Sequence, residues 1–202
     1  DTNGTWSWND EITTSVGVAG TKTFKATFIH QSGNYKDYEC DITVNVAKQK
    51  VSVPATNTSA VYTGSQLSTS YTNGALYTVT NASGTNVGNY DVNFTLTDSD
   101  NYVWANGDEI TTKVTFSITK ATVSISNLAL NGWTYGGTAS TPTFNKGAYD
   151  GTVTYLYTGT TNGGASYSST VAPTQAGNYT FTVTITATDN CDIEEGKRSV
   201  SK

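Results

Sequence analysis

The chain has 202 residues, of which 36% are hydrophobic and only 13% are charged, and its formal net charge is −5. The charged fraction is about half of the roughly 25% found in typical globular domains. No cluster of Lys or Arg is present, and an acidic surface repels both nucleic acid and anionic lipid. No apolar run approaches the about 18 residues of a membrane span. We therefore expect neither nucleic-acid binding nor membrane insertion from this segment.

The missing charge is replaced by Thr, Ser, Asn and Gly, together with 13 Tyr and 4 Trp. Thr and Tyr suit half-buried strands, whereas Gly and Asn suit turns. Disordered chains are poor in aromatic residues, so this polarity is typical of strands and hairpins. The sequence contains neither Met nor a signal peptide, and we expect it to be a piece of a longer exported protein.

The first predicted strands lie within residues 1–48. Residues 4–8 read Gly-Thr-Trp-Ser-Trp, and residues 20–28 and 41–48 alternate apolar with polar side chains around Gly33-Asn34-Tyr35. A period of two places one face on a core and the other in water, which predicts antiparallel strands.

The same arrangement returns twice along the chain. Residues 88–96 and 177–185 begin with Gly-Asn-Tyr and alternate in the same way, and Asp-Asn-Tyr or Asp-Asn-Cys follows at residues 100–102 and 189–191. Each repeat ends on a lysine, at Lys48, Lys120 and Lys202. The repetition predicts a partial β-repeat at residues 1–48 and complete β-repeats at residues 49–120 and 121–202.

Only the second and third repeats have a front half. It comprises a short opening strand near Val51 or Val123 and then a Tyr-Thr-Gly or Tyr-Gly-Gly element at Tyr62 or Tyr135. Because the first repeat lacks these strands, we expect it to present an unpaired edge that another chain or a preceding repeat covers.

These motifs together resemble the MBG-type (YGX-type) and Ig-like tandem repeats of bacterial cell-surface, adhesin-like proteins. The resemblance covers nearly the whole chain and rests on the Tyr-Gly element, Gly-Thr-Trp-Ser-Trp, the Gly-x-Tyr strand start, the Asp-Asn-Tyr loop and the closing Lys. Cys191 departs from it, since the pattern has Tyr there. The resemblance implies an extracellular location, either on a bacterial surface or secreted.

We predict an all-β fold of tandem antiparallel modules with almost no helix. An Ig-like sandwich is favoured because frequent turns separate the alternating strands, and a β-grasp-like small sheet is the alternative. The alternation predicts the following core residues: Val92, Phe94, Leu96, Val114, Phe116, Phe181, Val183 and Ile185.

The sequence offers little for catalysis or for a metal. The only histidine, His30, lies beside a predicted loop, and no nucleophile-elbow motif surrounds any Ser, so we predict a protein without catalytic residues. Asp98 and Asp100 form the one candidate Ca²⁺ site, but they lack EF-hand spacing. As turn formers they are expected to bond nearby backbone N–H groups instead, and we expect no cofactor.

Aromatic residues are the candidates for ligand binding. Trp104, Trp133 and Tyr135 fall in or near predicted loops, where flat rings could stack on a sugar. The alternative is that the tryptophans pack in the core or at a joint between repeats, as Trp usually does.

The residues shared between the repeats are alternating apolar residues, turn glycines and the Asn-Tyr pair, all of which serve folding. We therefore predict a non-catalytic repeat region that acts as a stalk, spacer or adhesin scaffold, with neighbouring repeats of the same chain as its partners. The alternative is an adhesive module that binds a host glycan or a host protein.

Overall fold

The computed structural model describes residues 3–9 and 17–201. All elements of regular secondary structure in this part of the chain are β-strands, which confirms the predicted all-β class and the scarcity of helix. None of the described residues forms a helix long and apolar enough to cross a membrane.

The strands are numbered in chain order. The region of the first predicted repeat contains β1 (Gly4–Trp8), β2 (Gly20–His30) and β3 (Tyr38–Val46). The region of the second contains β4 (Gln49–Val51), β5 (Thr58–Val61), β6 (Leu67–Ser68), β7 (Tyr77–Thr80), β8 (Ser83–Gly84), β9 (Gly88–Leu96), β10 (Tyr102–Trp104) and β11 (Thr111–Thr119). The region of the third contains β12 (Ala121–Val123), β13 (Ser126–Ala129), β14 (Thr143–Asn145), β15 (Thr154–Thr161), β16 (Ser166–Ser169), β17 (Gly177–Thr184), β18 (Cys191–Ile193) and β19 (Ser199–Ser201).

The chain forms two compact units, each assembled from separated segments. The first unit comprises Asp1–Thr56, Tyr71–Thr80 and Asn93–Lys113, and the second comprises Asn57–Ser70, Asn81–Val92 and Val114–Lys202. The three predicted repeats are defined by sequence periodicity, and their boundaries stay a prediction.

In the first unit, β1, β2 and β3 form an antiparallel sheet in that order. Its alternation brings Trp6 opposite Phe28, with ring centroids 5.3 Å apart, and sets Trp8 edge-on to Phe24. Both tryptophans are exposed. Phe24 and Phe28 are half-buried, so the two tryptophans form the exposed part of this aromatic face.

The core of the first unit lies around Phe94 and Trp104, which are 1% and 0% exposed. Tyr77 lies 5.9 Å from the Phe94 ring and 5.7 Å from the Trp104 ring, and Tyr71 approaches Phe94 from another segment. β7, which carries Tyr77, pairs antiparallel with β9, which carries Phe94. β10, which carries Trp104, pairs parallel with β4.

In the second unit, a four-stranded sheet has the order β16-β15-β17-β19 and is antiparallel throughout. β5 pairs parallel with β11, and β12 pairs parallel with β18. The short pairs β6–β8 and β13–β14 are antiparallel.

Burial in the second unit follows the alternation read from the sequence. Tyr157 packs on Phe181 with ring centroids 4.7 Å apart, and Val183 and Ile185 continue the same buried face. All eight predicted core residues, in both units, are buried, which confirms that part of the prediction. Cys191 is also fully buried, and it and Cys40 are free thiols.

At Gly177, the first residue of one Gly-Asn-Tyr strand start, glycine is required for a steric reason. A Cβ at this position would collide with the main-chain oxygen of Thr160 on the neighbouring strand β15. Only glycine lets β17 approach β15 this closely at its first residue.

We expect Phe181→Ala to destabilise the protein by about 3–5 kcal/mol, because it removes a fully buried ring and leaves a cavity beside Tyr157 on the buried face of the sheet. Urea unfolding followed by tryptophan fluorescence measures the change. Val171→Ala is the control, since that side chain is 66% exposed and its loss is expected to cost less than about 0.5 kcal/mol. Equal effects of the two substitutions would contradict the assignment of this core.

Candidate functional site

Trp104, one of the three candidate ligand-binding residues, lies in β10 with its side chain completely buried. Its indole N–H donates to the main-chain oxygen of Ile110 at 3.1 Å, and its ring rests against Tyr77. No face of the Trp104 ring is free for a ligand. Trp104 therefore packs in the core, which was the alternative given for the tryptophans.

The single histidine, His30, ends β2. Its Nδ1 lies 2.8 Å from the hydroxyl of Ser32, two residues further along an exposed turn, and its ring packs on Tyr35 at 4.6 Å. These contacts are local ones that fix the turn after the strand.

Asp98, the first residue of the candidate Ca²⁺ site, takes part in the turn itself. Asp98 accepts hydrogen bonds from the side-chain amide of Asn101 at 2.8 Å and from its main-chain N–H at 3.2 Å. These bonds to Asn101 hold the pKa of the Asp98 carboxyl below its usual value. Within residues 3–9 and 17–201, no group of three or more His, Cys, Asp or Glu side chains is placed to hold a metal ion.

Asn101 itself joins three segments of the first unit. Its amide oxygen accepts from the Ala19 N–H at 2.7 Å, and its main-chain oxygen accepts from the Gln49 N–H at 2.8 Å. Gln49 is the first residue of β4, whereas Ala19 lies in the region of the preceding predicted repeat. A single side chain thus bonds the segment ahead of β2 to the loop that precedes β10.

Asn190 makes the corresponding bonds in the second unit. Its amide oxygen accepts from the Val87 N–H at 2.8 Å, and its main-chain oxygen accepts from the Ala121 N–H at 3.1 Å. Its amide nitrogen donates to Asp150 at 2.7 Å and to Asn86 at 3.2 Å. Asn190 is only 9% exposed, so these bonds are sheltered from water.

We call this arrangement the asparagine joint: Asn101 with Ala19 and Gln49, and Asn190 with Val87 and Ala121. In both copies the first partner directly precedes the glycine that begins a long strand, Gly20 or Gly88, and the second partner is the first residue of an opening strand. The Asp-Asn loops noted in the sequence are therefore the positions from which one predicted repeat is bonded to the one before it.

Asp150 supports the second joint. Its carboxylate accepts from Asn190 and from the Thr188 hydroxyl at 2.7 Å, and these bonds lower its pKa. Thr188 in turn accepts from the main-chain N–H groups of Asn190 and Cys191, which fixes the loop ahead of β18. The ionised carboxylate is thus the form that fits this network.

Trp133 and Tyr135, the other two candidate residues, line one cavity of about 670 Å³ in the second unit. Its wall comes from three segments: residues 130–135 after β13, residues 157–162 at the end of β15, and residues 173–181 leading into β17. No short-range pattern links these segments, which explains why sequence reasoning found only the first of them.

The aromatic part of the wall is held in place by hydrogen bonds and ring contacts. The indole N–H of Trp133 donates to the main-chain oxygen of Pro173 at 3.1 Å, and its ring meets the buried Tyr157 edge to face at 6.5 Å. The Tyr179 hydroxyl donates to the main-chain oxygen of Gln175 at 2.8 Å. Tyr135, by contrast, is 73% exposed. Burial raises the pKa of Tyr157, so this phenol stays neutral.

Comparison of the chain with protein-family models, with curated proteins and with solved structures gave no significant match.

We expect Asn190→Ala to destabilise the second unit by about 1–3 kcal/mol, because the Val87 N–H loses its acceptor in a sheltered position. The pKa of Asp150 should rise toward its usual value, since its strongest hydrogen-bond donor is gone. Urea unfolding and a carboxyl-detected NMR titration measure the two effects. Asn131→Ala, an exposed asparagine, is the control and should change neither quantity. An Asn190→Ala protein as stable as the parent would refute the joint.

Proposed function

We propose that the chain is a non-catalytic, tension-resisting repeat region of a bacterial surface protein, acting as a stalk or scaffold that holds another domain away from the cell. In this proposal the repeats are Ig-like modules, with a β-grasp-like small sheet as the alternative fold. The observation that carries the proposal is the parallel pairing of opening strands with strands that come late in the same predicted repeat.

Three parallel pairs have this form. β4 pairs with β10, β5 pairs with β11, and β12 pairs with β18. In each pair one strand lies near the start of its predicted repeat and the other lies near the end. The pairing therefore ties the two ends of the segment between them.

Such a pair meets tension in a particular direction. When the chain is pulled from its ends, the early strand is drawn toward the amino terminus and the late strand toward the carboxyl terminus. In a parallel pair these forces run along the strands and in opposite directions, so the hydrogen bonds between them are loaded together. Strands that are peeled apart sideways lose their hydrogen bonds one at a time, which takes less force. Forced unfolding depends on the rate of unfolding, and shared loading lowers that rate.

The pair β5–β11 is the longest of the three. Thr58 to Val61 lie opposite Phe116 to Thr119, and the ladder continues where the Tyr62 N–H donates to the Thr119 oxygen at 2.8 Å. The Thr119 hydroxyl adds a bond to the main-chain oxygen of Ala60 at 3.2 Å. A buried face formed by Phe116 and Ile118 backs the same strand.

The connections between predicted repeats also suit a stalk. β3 ends at Val46 and β4 begins at Gln49, and β11 ends at Thr119 and β12 begins at Ala121. Neither connection contains Gly or Pro, and an asparagine joint lies at the first residue of β4 and at the first residue of β12. Tension therefore passes from one strand into the next without a slack linker. The likeness to MBG-type repeats supports a location outside the cell.

Single-molecule pulling tests the proposal through two pairs of attachment points that share one end. Handles on Thr58→Cys and Thr119→Cys load the β5–β11 pair along its strands, whereas handles on Val61→Cys and Thr119→Cys peel it apart, because Val61 and Thr119 lie opposite each other. Both variants carry Cys40→Ser, and Cys191 is kept because it is fully buried. We expect a clearly higher unfolding force for the first pair of handles. Equal forces, or a higher force for the second pair, would exclude the tension-resisting role.

The proposed location has its own test. Brief protease treatment of intact cells of the producing bacterium should remove epitopes of this chain, while a cytoplasmic marker survives. If the chain is protected until the cells are lysed, the surface assignment fails even where the pulling result holds.

A further inference from the structure

We infer that the cavity lined by Trp133, Tyr135 and Tyr179 is a binding site for a neutral carbohydrate. The inference goes beyond the mechanical role proposed above and does not depend on it. The cavity has a volume of about 670 Å³, which falls within the range of about 300–1,000 Å³ that is usual for small-ligand sites.

The first observation is the charge of the wall. None of the residues that line the cavity is Asp, Glu, Lys, Arg or His, although the chain as a whole has a net charge of −5. A charged ligand would lose water here without gaining an ion partner, which is costly. The cavity therefore selects for a neutral ligand.

The second observation is the combination of rings with amides. Four side-chain amides lie on the exposed parts of the wall: Asn131, Asn162, Gln175 and Asn178. Among the described residues, no protein group forms a hydrogen bond with any of these four amides. Each amide offers one acceptor oxygen and two donor hydrogens, which is the complement of neighbouring sugar hydroxyls.

The rings supply the other half of the recognition. A pyranose has an apolar face of C–H groups that packs on an aromatic ring while its hydroxyls point outward. Trp133 and Tyr179 are held by hydrogen bonds to Pro173 and Gln175, so two of the rings are already in position before a ligand arrives. Tyr135, which is 73% exposed, is the ring with the most surface left to cover.

A proline-rich peptide is another neutral ligand that aromatic-lined grooves bind. Recognition of such a peptide gains from an indole N–H that donates to a peptide carbonyl. The N–H of Trp133 is already bonded to Pro173 at 3.1 Å and is not available for that purpose. The unbonded amides instead favour a ligand rich in hydroxyl groups.

The test is an NMR titration of the whole chain labelled with ¹⁵N. The probes are neutral gluco-, manno-, galacto- and N-acetylglucosamine oligosaccharides, a sialylated oligosaccharide and a proline-rich decapeptide. We expect at least one neutral oligosaccharide to bind saturably and to shift the Trp133 indole signal. Tyr135→Ala should weaken that binding by about tenfold, because it removes one stacking ring.

Tyr38→Ala is the matched control, since Tyr38 is a tyrosine that is 63% exposed in the sheet of the first unit. It should leave the affinity unchanged, and Gln175→Ala provides a second, milder loss at the cavity. Circular dichroism of each variant should match that of the parent protein.

Several results would overturn the inference. They are no binding by any neutral oligosaccharide up to its solubility limit, binding by the decapeptide alone, binding by the sialylated probe alone, and affinity that Tyr135→Ala leaves intact. None of these results would change the pulling experiment, so the carbohydrate site and the tension-resisting role can fail separately.

Discussion

An opening strand of three or four residues has too few hydrogen bonds and too little buried surface to be stable by itself, and β4, β5 and β12 are all of this length. Each becomes part of the fold by pairing in parallel with a strand that arrives late in the same predicted repeat. This long-range pairing is the constraint on which the remaining structure depends. It brings the closing strand β11 beside β5, lets Phe116 and Ile118 face a core, and fixes where the next opening strand begins.

The asparagine joints solve a different problem, which is how a sequence with few charges satisfies the backbone groups at the ends of short strands. Ala19 and Val87 each present an N–H just before a long strand begins, and an unbonded N–H in a sheltered place is costly. Asn101 and Asn190 accept these two hydrogens with their side chains and accept a second one with their main chains. Asparagine suits the position because it accepts and donates at once, whereas aspartate in its place could not donate to Asp98 or Asp150.

The sequence was sufficient for those features that depend on neighbours along the chain. Period-two alternation at Val92, Phe94 and Leu96, and again at Phe181, Val183 and Ile185, predicted both strands and their buried faces, because side chains on a strand point alternately to its two sides. The parallel pairs could not be read in the same way, since residues as far apart as Ala121 and Cys191 carry no local sign of their partnership. Trp104 illustrates the same limit, because its burial depends on an oxygen of Ile110 and the ring of Tyr77. For the cavity, the sequence indicated Trp133 and Tyr135 as exposed aromatics but not the segments around Tyr157 and Pro173 that complete its wall.

The distance between paired strands also sets the order in which the chain can fold. β12 has no partner until β18 has been made, and the N–H of Val87 waits still longer for the side chain of Asn190. Folds with such distant partners form slowly, because the entropy of closing a long loop is lost before any stabilising contact forms. While the chain is synthesised from its amino terminus, about one repeat at its growing end therefore contains strand segments whose partners have not yet been made. The early strands of each predicted repeat therefore gain their full stability only after the whole repeat has been made.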